Sequence, residues 1–212
     1  ALATAVRLLD LGFFRIGSEE YAEANESFGL ATIRREHVHR DGEEVVFDFP
    51  AKSNRRRIQA IGDEAAISAL EAMRRRRGGP EDLLAWKEGR GWRDLRSDDI
   101  NDYIQTAIGE EFSAKDFRTW SGTVLAAAAL AGEEKPASDA AAKRTISRAV
   151  KTVATALGNT PAVCRRSYID PRIFDRYRDG QTIEVGRRAA SEGRMSERTR
   201  QRIEREVLAL MD

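Results

Sequence analysis

One cysteine in 212 residues, Cys164, leaves no intramolecular disulfide and no Cys-rich zinc site, and its use fits a reducing compartment. As a nucleophile it has little support, because a small buried thiol on a helix is the common case. Only two histidines occur, His37 and His39. Alternation would place both on one strand face, but two histidines with no thiol beside them make a weak metal site. No G-x-G-x-x-G or P-loop is present, so nucleotide binding has no basis. No apolar run reaches membrane-spanning length, and the opening "ALATAVRLLD" is not a secretory signal. Net charge is also missing: 36 basic residues face 35 acidic ones, for +1. Lysine is scarce as well, with 6 Lys against 30 Arg. Arginine's rigid fork suits phosphate oxygens, although genomic base composition produces the same bias in the total. Against that background a lone lysine in a polar loop stands out.

What is present is unevenly spread. Residues 143–178 carry nine basic groups against two acidic, a net +7, and residues 52–77 carry eight against three, a net +5. Acidic groups collect elsewhere, as at Glu19, Glu20, Glu23 and Glu26. The pattern points to a cationic face on a balanced chain, and the competing account is a set of solvated helix faces.

"TAVRLLDLGFF" has helical apolar spacing. "FGLATIRREHV", "EEVVFDFP" and "RRRIQAI" alternate like strands, with "RDGE" and "AKSN" between them, which predicts a three-stranded antiparallel sheet. "DEAAISALEAMRRRR" reads as a helix ended by Gly78-Gly79-Pro80. From there the chain reads as helical throughout. Ser97 caps "DDINDYIQTAI", which Gly109 stops. Ser113, with Asp116 three residues on, caps "AKDFRTWSGTVLAAAALA". Ser138 caps a helix to Leu157, with Gly158 at its end. Thr160 and Pro161 open the next helix, Asp170-Pro171 repeats that grammar, and Ser196 begins a last amphipathic helix. "EVGRRAASEGRMSE" is the best candidate for a mobile segment. The class is α+β, predominantly helical with a small sheet. It divides into residues 1–80, a helix plus the sheet, and residues 81–212, helical, the two forming one domain.

"GNTPAVCRRSYIDP" sets Tyr168 among cations at a junction of two short helices. A phenol titrates near pH 10 and is a poor nucleophile unaided. Neighbouring guanidinium groups favour phenolate and neutralise a phosphodiester under attack. Tyrosine with several arginines and one lysine therefore has a chemical meaning, phosphoryl transfer to tyrosine. The competing account is a packing residue.

Four blocks in order carry a resemblance: "FFRIGSEEYAEANESFGLATIR" (13–34), "FDFPAKSNRRR" (47–57), "SAKDFRTWSGT" (113–123) and "GNTPAVCRRSYIDP" (158–171). They resemble the catalytic domain of the poxvirus and bacterial type IB DNA topoisomerases, a fold shared with the tyrosine recombinases. The resemblance implies catalytic roles for five residues: Arg15 and Arg118 as the two catalytic arginines, Lys52 as general acid at a hairpin tip, Tyr168 as nucleophile, and Asn159. The poxvirus branch has histidine at the place of Asn159, and asparagine there looks like the bacterial branch. Asparagine donates a hydrogen bond but cannot serve as cation or acid. Tyr21 and Lys115 match residues that touch DNA, and Arg165 and Arg166 lie in the same cationic segment.

The implied reaction is attack of Tyr168 on one strand of duplex DNA, forming a 3′-phosphotyrosyl link. Lys52 protonates the leaving 5′-oxygen, the free end rotates, and religation follows without ATP, metal or other cofactor. The implied partner is duplex DNA, with no membrane and no small-molecule substrate. The protein is expected as a monomer in the bacterial cytoplasm, at the nucleoid. Family members usually carry a small sheet-rich domain ahead of the catalytic one, and nothing like it is visible here. A tyrosine recombinase usually has His-x-x-Arg at the second arginine, where this chain has Lys115-x-x-Arg118. The third alternative is a helical DNA-binding module without chemistry, and a lone lysine at a hairpin tip weighs against it.

Overall fold

In the computed structural model, which describes residues 1–52, 55–184 and 197–212, the apolar stripe of the opening segment folds as helix α1 (Leu2–Gly12), burying Ala5, Leu8 and Leu9. A short surface helix α2 (Glu19–Asn25) follows, then two 3-10 turns, Leu30–Thr32 and Arg35–His37. Strands β1 (Val38–Asp41), β2 (Glu44–Ala51) and β3 (Arg55–Ile61) form an antiparallel sheet in that order. Along β2, Val45, Phe47, Phe49 and Ala51 alternate into the core, the period-two pattern of a half-buried strand. Helix α3 (Glu64–Arg74) starts at Asp63, whose carboxylate accepts from the Ala66 amide at 2.9 Å. Hairpin β4 (Ala85–Glu88) and β5 (Gly91–Asp94) and helix α4 (Ser97–Ile108) come next. Helix α5 (Ala114–Leu130) leads to α6 (Asp139–Leu157), α7 (Pro161–Ser167), α8 (Arg172–Arg178) and α9 (Glu197–Met211). No helix among the described residues is long and apolar enough to cross a membrane.

The architecture is α+β with the expected small three-stranded antiparallel sheet. Three details differ from the sequence reading. The first strand begins only at Val38, because "FGLATIRRE" is used in 3-10 turns. Those turns serve a close approach: Gly17 and Gly29 touch backbone to backbone, and a Cβ on Gly29 would sit 2.5 Å from the Gly17 Cα. His37 consequently ends a turn while His39 lies in β1, so the two do not share a strand face. The His37 ring packs on Phe28 at 4.6 Å, its Nδ1 accepts from the Arg34 amide, and burial lowers its pKa. Helix α3 stops at Arg74, short of the Gly78-Gly79 turn, and α2 and the β4–β5 hairpin add elements that the periodicity did not reveal.

Contacts divide the chain into Ala1–Arg118 and Thr119–Asp212, whereas the sequence reading drew its inner boundary at 80/81. Burial supplies the reason. Leu83, Leu84, Leu95, Ile100 and Ile104 join Leu8, Leu9, Phe14 and Phe47 in the core of the first unit. Each such side chain contributes about 1.5–3 kcal/mol on burial. That outweighs the local chain break at Gly78-Gly79-Pro80. The second unit is helical. Ile146, Val150, Val153 and Leu157 form the buried stripe of α6, and Ile173, Phe174 and Tyr177 bury the face of α8.

The helix ends follow the expected grammar closely. Asp116 accepts from both the Ser113 amide and hydroxyl at the start of α5, at 2.9 and 2.8 Å. Ser138 accepts from the Ala141 amide, and Gly158 closes α6 in the left-handed region at φ 62°. Thr160 accepts from the Val163 amide with Pro161 in the first turn of α7. At α4 the cap lies one residue earlier than expected: the Arg96 amide donates to Asp99, which is at the third helical position. The stretch 185–196, with Ser196 and most of "EVGRRAASEGRMSE", lies outside the described residues.

Candidate active site

In the first unit the arginines gather where α1 ends. Phe13 takes a left-handed turn at φ 52°. That turn folds Phe14 back over Gly12, where a Cβ would meet the ring at 2.1 Å. Phe14 then packs edge-on against Phe47 at 4.9 Å and stacks on Phe49 at 6.2 Å. Arg15 follows directly, held by its backbone: its carbonyl accepts from the Leu30 amide at 2.8 Å, and the Ile16 carbonyl accepts from Ala31 at 2.8 Å. The Gly17–Gly29 contact locks this pairing, so Arg15 leaves a rigid loop.

Arg118, 3% exposed, donates through Nη1 to the Phe13 carbonyl. Arg57 donates through Nη2 to the Gly12 carbonyl at 3.2 Å and to Gln59 Oε1 at 3.2 Å. Two guanidinium groups thus use consecutive carbonyls at the C-terminus of α1, where the helix dipole favours cations. Burial pushes Arg57 down to about 10, and repulsion from Arg118 and Arg15 adds to the shift. It stays charged at neutral pH. Arg15, Arg57 and Arg118 therefore share one strongly positive locality. Arg57 was not singled out from the sequence. The signal was its register: it pairs with Phe49 on the inward face of the β2–β3 ladder.

Lys52 follows the last residue of β2 and is exposed. Its Nζ stands 5.7 Å from the centre of the Tyr21 ring, which is 40% exposed. A cation over an aromatic face at that range is attracted by about 0.5–1 kcal/mol at an exposed site. The structure thus joins two residues that the resemblance gave separate roles, the general acid and a DNA contact.

In the second unit, Asn159 and Tyr168 bracket α7. The Asn159 amide donates to the Ala154 carbonyl at 2.9 Å, completing the α6 terminus, so its position is set by that helix end. Tyr168, half-buried, caps α7 with its amide donating to the Cys164 carbonyl at 3.0 Å. Cys164 is fully buried, as a packing thiol would be. Two residues of α5 fix the tyrosine's backbone. A Cβ on Gly122 would lie 2.1 Å from the Tyr168 carbonyl oxygen, so the strand of chain at Tyr168 rests directly on the bare helix there. Thr123 Oγ1 donates to the Thr119 carbonyl at 2.8 Å and accepts from the Asp170 amide at 3.0 Å. Neither Gly122 nor Thr123 was picked out from the sequence. Lys115 is exposed, as are Arg165 and Arg166, and Arg165 lies over the Phe174 ring at 4.9 Å.

The profile of the eukaryotic DNA topoisomerase I catalytic core matches residues 1–187. The chain belongs to the topoisomerase I catalytic core family. It is also 30% identical over 161 residues to DNA topoisomerase 1B of Acanthamoeba polyphaga mimivirus, a match covering 73% of this chain and 48% of that relative. The chain thus spans about half the length of the curated relative it matches. The topoisomerase I match contains Arg15, Lys52, Arg57, Arg118, Asn159 and Tyr168.

Proposed function

We propose that this chain carries the strand-breaking chemistry of a type IB DNA topoisomerase. Tyr168 Oη attacks a backbone phosphorus of one strand of duplex DNA. The P–O5′ bond breaks, a 3′-phosphotyrosyl ester forms, and the phenol proton leaves to solvent. Lys52 gives a proton to the departing 5′-oxygen. A positioned acid of this kind contributes roughly 10²–10⁴-fold. Arg15, Arg118 and the side-chain amide of Asn159 donate to the non-bridging oxygens, where charge builds in the transition state. Rotation of the free end relaxes supercoils, and the 5′-hydroxyl then reverses the reaction. Since the ester preserves the energy of the broken bond, no ATP is consumed. Tyr21, Lys115, Arg165 and Arg166 contact the duplex backbone. Asn159 in place of histidine favours a bacterial source and a place at the nucleoid, with the protein acting as a monomer.

The observation that carries this reading is the setting of Tyr168: a half-buried phenol at a helix end, its backbone seated on Gly122, in a chain matched to the topoisomerase I core over residues 1–187. That match favours the topoisomerase reading over a recombinase. The test is incubation with supercoiled plasmid, quenched with detergent, for covalent protein–DNA and relaxed circles. Tyr168→Phe should bind DNA and form no adduct. Relaxation by the Phe variant at the wild-type rate would refute the assignment.

A further inference from the structure

The β3 strand inverts the usual arrangement of polar and apolar residues. Its inward ladder positions are Arg57, Gln59 and Ile61, paired with Phe49, Phe47 and Val45, all three of them buried core residues. Ile58, the apolar residue between, is 60% exposed on the other face. A strand selected for stability alone would place Ile58 inward and Arg57 outward. Local rules broken in this way mark functional positions. Arg57 is also aimed: with Gly12 and Gln59 taking its Nη2, the guanidinium is held at the end of α1, next to the carbonyl that receives Arg118.

A structural cap would explain one cation on the α1 terminus, which is worth about one charge-assisted bond. It does not explain several, since they repel one another in a half-buried place. Like charges gathered there become favourable when an anion shares them. We propose that Arg57 is a third anion-binding arginine, completing with Arg15 and Arg118 a phosphate pocket at the C-terminal end of α1. The chemistry it fits is a tetrahedral oxyanion, a phosphodiester in the polymer or inorganic phosphate as a probe. The inference rests on the topoisomerase reading only for which phosphate the pocket holds in function.

Two arms test it, and they separate this proposal from the topoisomerase reading. The first needs no activity. Thermal unfolding of the full chain is followed in sodium phosphate and in sodium chloride at equal ionic strength. Phosphate stabilises proteins in general by exclusion from their surface, so the control is Arg56→Gln, an exposed arginine held by Asp48 at 2.5–2.7 Å. Arg56→Gln should keep the phosphate-specific gain in Tm, and Arg57→Gln should lose most of it. Equal gains in the two variants would overturn the proposal. Should Arg57→Gln fail to fold, Arg57→Lys, which keeps the charge and loses the fork, should show a reduced gain, and a full gain in it overturns the proposal equally. The second arm is the rate of adduct formation. Arg57→Gln should slow it by about 10- to 100-fold, the worth of one charge-assisted hydrogen bond. The deficit should largely vanish on DNA with a neutral methylphosphonate at the reacting position. A deficit of the same size on both substrates would mean a structural role and overturn the proposal. If the wild-type chain forms no adduct, the topoisomerase reading falls while the phosphate arm still decides for or against Arg57.

Discussion

Replacing Gly122 by alanine should damage the site through backbone displacement alone. The added Cβ would stand 2.1 Å from the Tyr168 carbonyl oxygen, 3.2 Å from its carbonyl carbon and 3.3 Å from Leu157 Cδ1. Ordinary contact needs about 3.4 Å or more, so the Tyr168 carbonyl must retreat by roughly 1 Å. The opposite side cannot yield instead, because Leu157 is fully buried. Two terms compete in stability. Alanine in a helix interior is better than glycine by about 1 kcal/mol. Overpacking a tight contact costs about 1–3 kcal/mol. The net is a loss of about 0–2 kcal/mol, the reverse of what an open helical glycine would give. The larger effect is on chemistry, since misplacing a reacting group by about 1 Å costs on the order of 10²-fold. Chemical unfolding and the rate of phosphotyrosyl adduct formation measure the two, with DNA binding as the control that should hold. A Gly122→Ala protein that is more stable by about 1 kcal/mol and cleaves at the wild-type rate would show that the tyrosine segment does not depend on this contact.

Lys52→Ala should slow cleavage by ~10²-fold, and DNA with a bridging 5′-sulfur, a better leaving group, should recover most of that loss; no recovery would give Lys52 a role other than acid. Asn159→Ala should cost about 1–3 kcal/mol of transition-state stabilisation, read from adduct rates, while Asn159→His should be tolerated; a folded but inactive His variant would count against a shared pocket. Stability should also carry a signature of Asp82, which burial, helped by Asp94, pushes up to about 6. The fold holds that proton more tightly than the unfolded chain does. Its contribution is therefore fully present below the unfolded value of about 4 and is lost as pH rises through about 6. Asp82→Asn should flatten this part of the stability curve between pH 4 and 7.5, and an unchanged slope in chemical unfolding would remove Asp82 as its cause.

Features set by near neighbours in the chain could be read from sequence. Caps at Ser113, Ser138 and Thr160, the glycine stop at Gly158 and the β2–β3 alternation each depend on residues within a few positions. The order of Arg15, Lys52, Arg118, Asn159 and Tyr168 could be picked out only through family resemblance, since nothing local distinguishes Arg118 from any other arginine on an apolar helix. Its burial and its bond to Phe13 arise 105 residues away along the chain. The 3-10 turns were misread as strand for a similar reason. "FGLATIRRE" has strand-like apolar alternation, and what overrides it is the Gly17–Gly29 backbone contact, which is tertiary.

Two of the residues that sequence reasoning passed over, Gly122 and Arg57, have one property in common: each is defined by an absence or an inversion that only a partner makes visible. Gly122 looks like a weak spot in a helix until the Tyr168 carbonyl is placed where its side chain would be. Arg57 looks like one of three consecutive arginines in a basic zone until the register turns it inward and leaves Ile58 outside. The same logic separates Arg57 from Arg56. Arg56 is exposed and neutralised by Asp48, so its charge is spent locally. Arg57 meets two further arginines, and burial followed by their repulsion weakens its hold on the proton. If the proposed pocket holds a phosphate, the anion offsets that repulsion. The basic zone of residues 52–77 is accordingly not a uniform electrostatic surface. It holds the exposed, neutralised Arg56 beside the inward-facing Arg57 and the buried Arg76, and cleavage rate should fall with Arg57→Gln but not with Arg56→Gln.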